Sequence, residues 1–158
     1  MVAEFEELEA GEFVVKGDGP EDLYRQVTQP NWDGQRQALS SLAFGPRSAD
    51  AGKLSLSRSS VVSAQEARDW HTANAKNPSL GVWRVTVADV DENDSRAVDD
   101  RDVPAKKDDP PKAPGHCYAD YRHLSKNEER TLRAVLLQKA LDYKEVPTTQ
   151  QEPRESAN

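Results

Sequence analysis

Cys117 is the only cysteine in the chain. A lone thiol cannot form an intrachain disulfide, which excludes a disulfide-stapled secreted scaffold and fits a reducing compartment. Apolar residues nowhere approach the run of about 20 needed to span a bilayer. The N-terminus opens on acids instead of a basic stretch followed by an apolar one, so a cytoplasmic protein with no membrane partner is expected. No Walker loop, dinucleotide fingerprint, paired-cysteine zinc signature or nucleophile elbow occurs, and each absence removes a reaction class that normally announces itself. No internal repeat is present, and these residues call for no cofactor and no metal.

What the chain does contain is charge, unevenly spread. Of its 158 residues 31% are charged and 35% apolar, with a formal net charge of −7. Residues 1–22 hold eight acids and one base, whereas residues 23–90 hold five acids and eight bases. Residues 91–112 return to eight acids against five bases, and residues 113–158 balance at seven each. An acidic head therefore precedes a mildly basic block. A pI near 5 argues against constitutive nucleic-acid binding, which needs a clustered positive face.

Periodicity and punctuation divide the chain into an acidic arm (1–22), a single α+β domain (23–143) and a disordered tail (144–158). The arm alternates glutamates with Phe5, Leu8, Phe13 and Val14 and reads as a frayed terminus able to dock. Gly17-Asp18-Gly19-Pro20 breaks it from a first strand, Leu23 to Val27. Ala38 to Phe44 reads as a second strand, and Leu54-Ser55-Leu56-Ser57-Arg58 as a half-buried third. Ser63-Ala64-Gln65-Glu66 is a capping box that opens a helix to about Ala73 with Ala67 and Trp70 inward. Gly81 to Ala88 is the strongest strand and is expected at the centre of the sheet. Residues 91–114 are too charged and Pro-rich to repay the entropy of ordering, and read as a flexible insertion. His116 to Tyr121 resumes the sheet. Ser125-Lys126-Asn127-Glu128 caps a last helix to about Tyr143, with Leu132, Val135, Leu136 and Lys139 in one stripe beside Leu137 and Leu141. The fold class is thus α+β: a small, mostly antiparallel sheet of about four to five strands with two packed helices.

Three sets of residues could carry chemistry. Arg25, Arg58 and Arg84 lie within predicted strands, with Arg36 nearby, and could form a positive surface for a phosphate, a nucleotide or an acidic segment. His71 and His116 are the candidate acid and base, and with His123 a conceivable nitrogen-rich site. Cys117 beside His116 falls on the opposite strand face, which makes it a buried structural residue and not a nucleophile with its base. The serines at 40, 41, 55, 57, 59 and 60 form a hydroxyl background for which the sequence nominates no base.

Ser40-Ser41-Leu42-Ala43-Phe44-Gly45-Pro46, then Asp50, Gly52 and Leu54-Ser55-Leu56, Trp70-His71 and Gly81 to Val87 together form a pattern. Over residues 23–90 it resembles a group of short uncharacterised bacterial proteins. The resemblance implies a bacterial, cytoplasmic, single-domain protein and transfers no activity and no functional residue. The leading expectation is a protein-interaction or accessory module that acts with a larger protein partner, because charged arms can order on binding. This leans away from an enzyme. The alternative is a small enzyme or nucleotide/phosphate-binding domain that uses an Arg/His cleft. The third is a nucleic-acid binder autoinhibited by the acidic arm.

Overall fold

Two serines set the starts of the long helices. Ser63 Oγ accepts from the Glu66 amide while the Glu66 carboxylate accepts from the Ser63 amide, opening α1 over Ala64–Asn74. Ser125 and Glu128 repeat the arrangement at Lys126–Tyr143, the last helix, α3. The computed structural model describes residues 4–16 and 20–150.

Among the described residues eight strands lie around these helices: β1 Phe13–Val14, β2 Asp22–Val27, β3 Trp32–Asp33, β4 Ala38–Leu39, β5 Lys53–Arg58, β6 Gly81–Thr86, β7 Ala97–Asp99 and β8 His116–Asp120. Six of them form one sheet in the order β1-β7-β8-β5-β2-β6, every pairing antiparallel; β3 and β4 make a separate hairpin. The α+β class is as expected, with more strands than the four or five anticipated. Strand alternation gives the sheet two unlike faces. One carries Leu23, Val27, Leu54, Leu56, Trp83, Val85, Cys117 and Ala119, which join Leu132, Leu136 and Ala140 of α3 and Phe44 in the core. The other carries Tyr24, Gln26, Ser55, Ser57 and His116 and faces α1 across a cavity.

The remaining differences from expectation have local causes. The second predicted strand stops at Leu39 because Ser40 Oγ accepts from the Leu42 amide and turns the chain. Ala43 and Phe44 are buried all the same, as part of a turn, and the Phe44 carbonyl accepts from the Tyr121 hydroxyl at 2.6 Å. The strongest strand, β6, ends at Thr86: a third capping box, Thr86 with Asp89, converts Val87–Asp91 into the short helix α2. It is also an edge strand, not a central one. Its outer edge is protected instead by the returning tail, where the Val146 amide donates to the Val82 carbonyl at 2.8 Å.

Residues 91–114 are not simply a flexible insertion, because Ala97–Asp99 within them is fully buried as β7. Its acid is tolerated there because arginines clamp it: Arg58 and Arg101 both bond to Asp99. Nor is the acidic arm frayed over residues 4–16. Phe13 and Val14 pair with Asp99 and Val98, Val15 is buried, and Glu12 accepts from the Tyr118 hydroxyl at 2.6 Å. Upstream, the Phe5 ring sits 4.5 Å from the Arg96 guanidinium and edge-on to His123. The tail likewise contacts the domain as far as Thr149, with Thr148 and Thr149 bonded to Arg68 and Gln65 of α1; residues 151–158 lie outside the described residues, as do 1–3 and 17–19.

Gly11 is the hinge that lets the arm dock. Its φ is +95° and a Cβ there would collide with the Asp102 carbonyl. Gly11→Ala is expected to destabilise the docked arm by more than about 1 kcal/mol. The check is amide exchange, which should quicken at Phe13 to Val15 while α3 is unaffected.

Candidate functional site

The cavity between α1 and the polar sheet face has a volume of about 470 Å³. That lies within the range of about 300–1,000 Å³ typical of small-molecule sites. Tyr24 and Gln26 of β2, Ser55 and Ser57 of β5 and His116 of β8 line the sheet side, and Ala67, Trp70 and His71 line the helix side. The loop 109–113 and the side chains of Arg47 and Asp50 also contribute. The half-buried strand read from Leu54 to Arg58 explains the polar lining: its leucines fill the core, which leaves its serines in the cavity.

Arg25 reaches the cavity through a split in the sheet. β2 pairs with β6 over all six residues but with β5 only at Leu23–Arg58 and Tyr24–Ser57. Beyond that point the Arg25 guanidinium bridges the gap, donating through Nε to the Ala43 carbonyl at 2.9 Å and through Nη1 to the Ser55 carbonyl at 3.1 Å. Desolvation, partly offset by Asp50, pulls its pKa down to about 10, so it remains a cation at neutral pH.

Two histidines complete the constellation. His71 Nε2 lies 3.0 Å from the Asn77 carbonyl and must donate to it, which leaves Nδ1 unprotonated in the neutral ring. Desolvation lowers its pKa, the Asn77 bond opposing, so the neutral form is favoured. His116 is held on both sides: Nδ1 is 2.8 Å from Asp100 Oδ1 and Nε2 is 3.3 Å from Ser55 Oγ. Asp100 is itself braced by Lys112, whose Nζ donates to the Asp100 carbonyl at 2.7 Å.

Of the site residues expected from sequence, Arg25, His71 and His116 thus meet in one cavity, and Arg58 and Arg84 do not join them. Arg58 bonds Glu21 twice, at 2.8 and 3.0 Å, and Asp99 at 2.8 Å. Arg84 pairs with Asp22 at 2.9 Å and stacks 4.2 Å from the Tyr143 ring. Arg36 pairs with Asp33 on the surface. Both strand arginines are neutralised by acids at the start of β2, so neither is a free cation. His123 is buried elsewhere, with Nε2 on the Asp94 carbonyl at 2.7 Å. Cys117 lies on the core face, where burial pushes its thiol pKa far up, as an inert residue requires. Among the described residues no cluster of three or more His, Cys, Asp or Glu side chains is suited to a metal, and no helix is long and apolar enough to cross a membrane.

Sequence reasoning missed Ser55 as a partner of His116, and Asp100 altogether. Ser55 stood among six similar serines, and Asp100 lay in a segment read as flexible. The pairing depends on β8 setting His116 opposite Ser57, next to Ser55 on the same face, which no local window reveals. No protein-family model, curated protein or solved structure matches the chain.

Proposed function

We propose that the cavity beside α1 binds a small anionic molecule with a planar part, of the nucleotide or organic-phosphate class. The observation that supports this is the convergence of Arg25, His71 and His116 from three separate elements on one cavity, with Arg47 at its margin. Tyr24 and Trp70 line the cavity as aromatic residues for the planar part, and Arg25, a cation at neutral pH, attracts the charged part. The expectation of an interaction module rested on free charged arms, and the described parts of both arms contact the domain, the first through Phe5, Glu12 and Phe13 to Val15 and the second through Val146, Thr148 and Thr149. The third expectation, an autoinhibited nucleic-acid binder, needs releasable acids, and the acids that pair with Arg58 and Arg84 sit at the entry to β2.

The test is titration of the full chain with adenosine monophosphate and with inorganic phosphate, read by Trp fluorescence and by Tm. At a ligand excess of about 100 Kd the stabilisation is about 2.7 kcal/mol. For a chain of this size that raises Tm by roughly 5–10 °C. Arg47→Ala, an exposed position, should weaken binding without lowering the unliganded Tm. No fluorescence change and no Tm shift with either compound at millimolar concentration would remove the reading.

A further inference from the structure

We infer that Ser55 is a nucleophile activated by His116 and positioned through Asp100, and that the cavity therefore performs acyl transfer on an ester. A carboxylate can only accept, so the 2.8 Å contact makes Asp100 Oδ1 the acceptor and His116 Nδ1–H the donor. In the neutral ring that fixes Nε2 as the unprotonated nitrogen. Nε2 faces Ser55 Oγ at 3.3 Å, within the range that catalytic hydrogen bonds show before substrate draws them together. Base and orienting acid are thus arranged in the order that nucleophilic serine chemistry demands.

The surroundings suit the same task. Ser55 is exposed to the cavity, while the Asp100 side chain is 16% and the His116 side chain 23% exposed, so the relay is shielded and its nucleophile accessible. Arg25 Nη1 holds the Ser55 carbonyl and so fixes the strand that presents the hydroxyl. Lys112 pins the Asp100 backbone.

In the reaction Ser55 Oγ forms a bond to the ester carbonyl carbon as its proton passes to His116 Nε2. Collapse breaks the bond to the leaving oxygen, which takes that proton and departs as an alcohol. Water then attacks the acyl-serine, gives its proton to Nε2, and releases the acid as Ser55 Oγ recovers the proton. Ester and water become acid and alcohol, with no other reactant required. The substrate class, an ester that carries a negative charge, rests on the anionic-ligand reading above; the nucleophile does not.

An uncharged alkyl fluorophosphonate separates the two. Full-length protein is incubated with it and the modified residue located by peptide mass mapping. Ser55 is expected to carry the phosphonyl group, with none on Ser55→Ala and a rate about 10²–10⁴-fold lower in His116→Gln. In Asp100→Asn the rate should fall as well, together with loss of the downfield His116 Nδ1 proton signal that a merely structural role for Asp100 would not remove. Near-UV circular dichroism confirms that each variant is folded. Modification of Ser55 no faster in wild type than in His116→Gln, or modification at another hydroxyl only, overturns the nucleophile. Modified Ser55 in a protein that binds neither adenosine monophosphate nor phosphate keeps the nucleophile and overturns the anionic substrate class.

Discussion

Asp99→Ala is expected to cost the fold about 3 kcal/mol, near the lower end of what breaking a buried ion pair costs. Asp99 is fully buried in β7, and its Oδ2 accepts from Arg58 at 2.8 Å and from Arg101 at 2.9 and 2.5 Å, while Oδ1 accepts from the Arg101 amide at 2.9 Å. Removing the carboxylate leaves Arg58, only 14% exposed, with half its partners and strips the Arg101 amide of its acceptor. The loss stays below the upper limit because Glu21 still holds Arg58 and the Arg101 side chain, 45% exposed, can turn to water. Urea unfolding near neutral pH measures it, and a loss below about 1 kcal/mol would mean that water replaces the clamp. The same pair gives a pH dependence of fixed sign. Burial alone would raise the Asp99 carboxyl, but the bonds from Arg101 and Arg58 outweigh it and hold the pKa at about 2, against an ordinary 3.8. A carboxyl lowered on folding stabilises fully above its unfolded pKa, so about 2 kcal/mol is present above pH ~5 and is lost as pH falls from there toward 2. Asp120, buried between Arg122 and Arg96, is shifted in the same direction and adds to the acid transition.

These two clamped aspartates also show where sequence reading stops. Elements whose cause is local were legible: both serine capping boxes, the alternation of Leu54 to Arg58, the strand-forming Val82, Trp83, Val85 and Thr86, and the opposite facing of His116 and Cys117. Elements whose cause is remote were not. Ala97-Val98-Asp99 can be a buried strand only because Arg58, 41 residues earlier, neutralises its acid. The arm looks like a solvated terminus until Tyr118, 106 residues away, supplies a donor for Glu12. The position of β6 follows from strand order, on which its own residues carry no information. The candidate site divides in the same way: the residue types Arg25, His71 and His116 could be nominated, but their convergence and the partnership of Ser55, His116 and Asp100 are facts of register. Arg58 and Arg84 show the converse, since an arginine in a strand demands an acid and both find theirs in Glu21 and Asp22.

The stripe read along α3 can be resolved by a pair of truncations. Leu132, Val135, Leu136 and Lys139 form one stripe beside Leu137 and Leu141, a face too wide to be buried everywhere. The sheet takes Leu132, Leu136 and Ala140 into the core, with Leu137 packed against its margin, and leaves Leu141 45% exposed. Leu136, with no exposed surface, belongs to the same cluster as Leu23, Val85 and Tyr121, so Leu136→Ala removes buried methyls and leaves a cavity that rigid strands cannot close. The expected loss is about 3–4 kcal/mol. In Tm that is a fall of roughly 6–16 °C for a chain of this length. Leu141→Ala, which removes exposed surface and improves helix propensity, should stay within about 0.5 kcal/mol. Thermal unfolding of both variants at several protein concentrations is the measurement. If Leu141→Ala costs as much as Leu136→Ala, and costs more as concentration rises, the outer face of α3 is buried against a second molecule and the interaction reading regains its footing there. Equal and small effects would instead show that α3 contributes little to the core, contrary to the packing of Leu132, Leu136 and Ala140 beneath it.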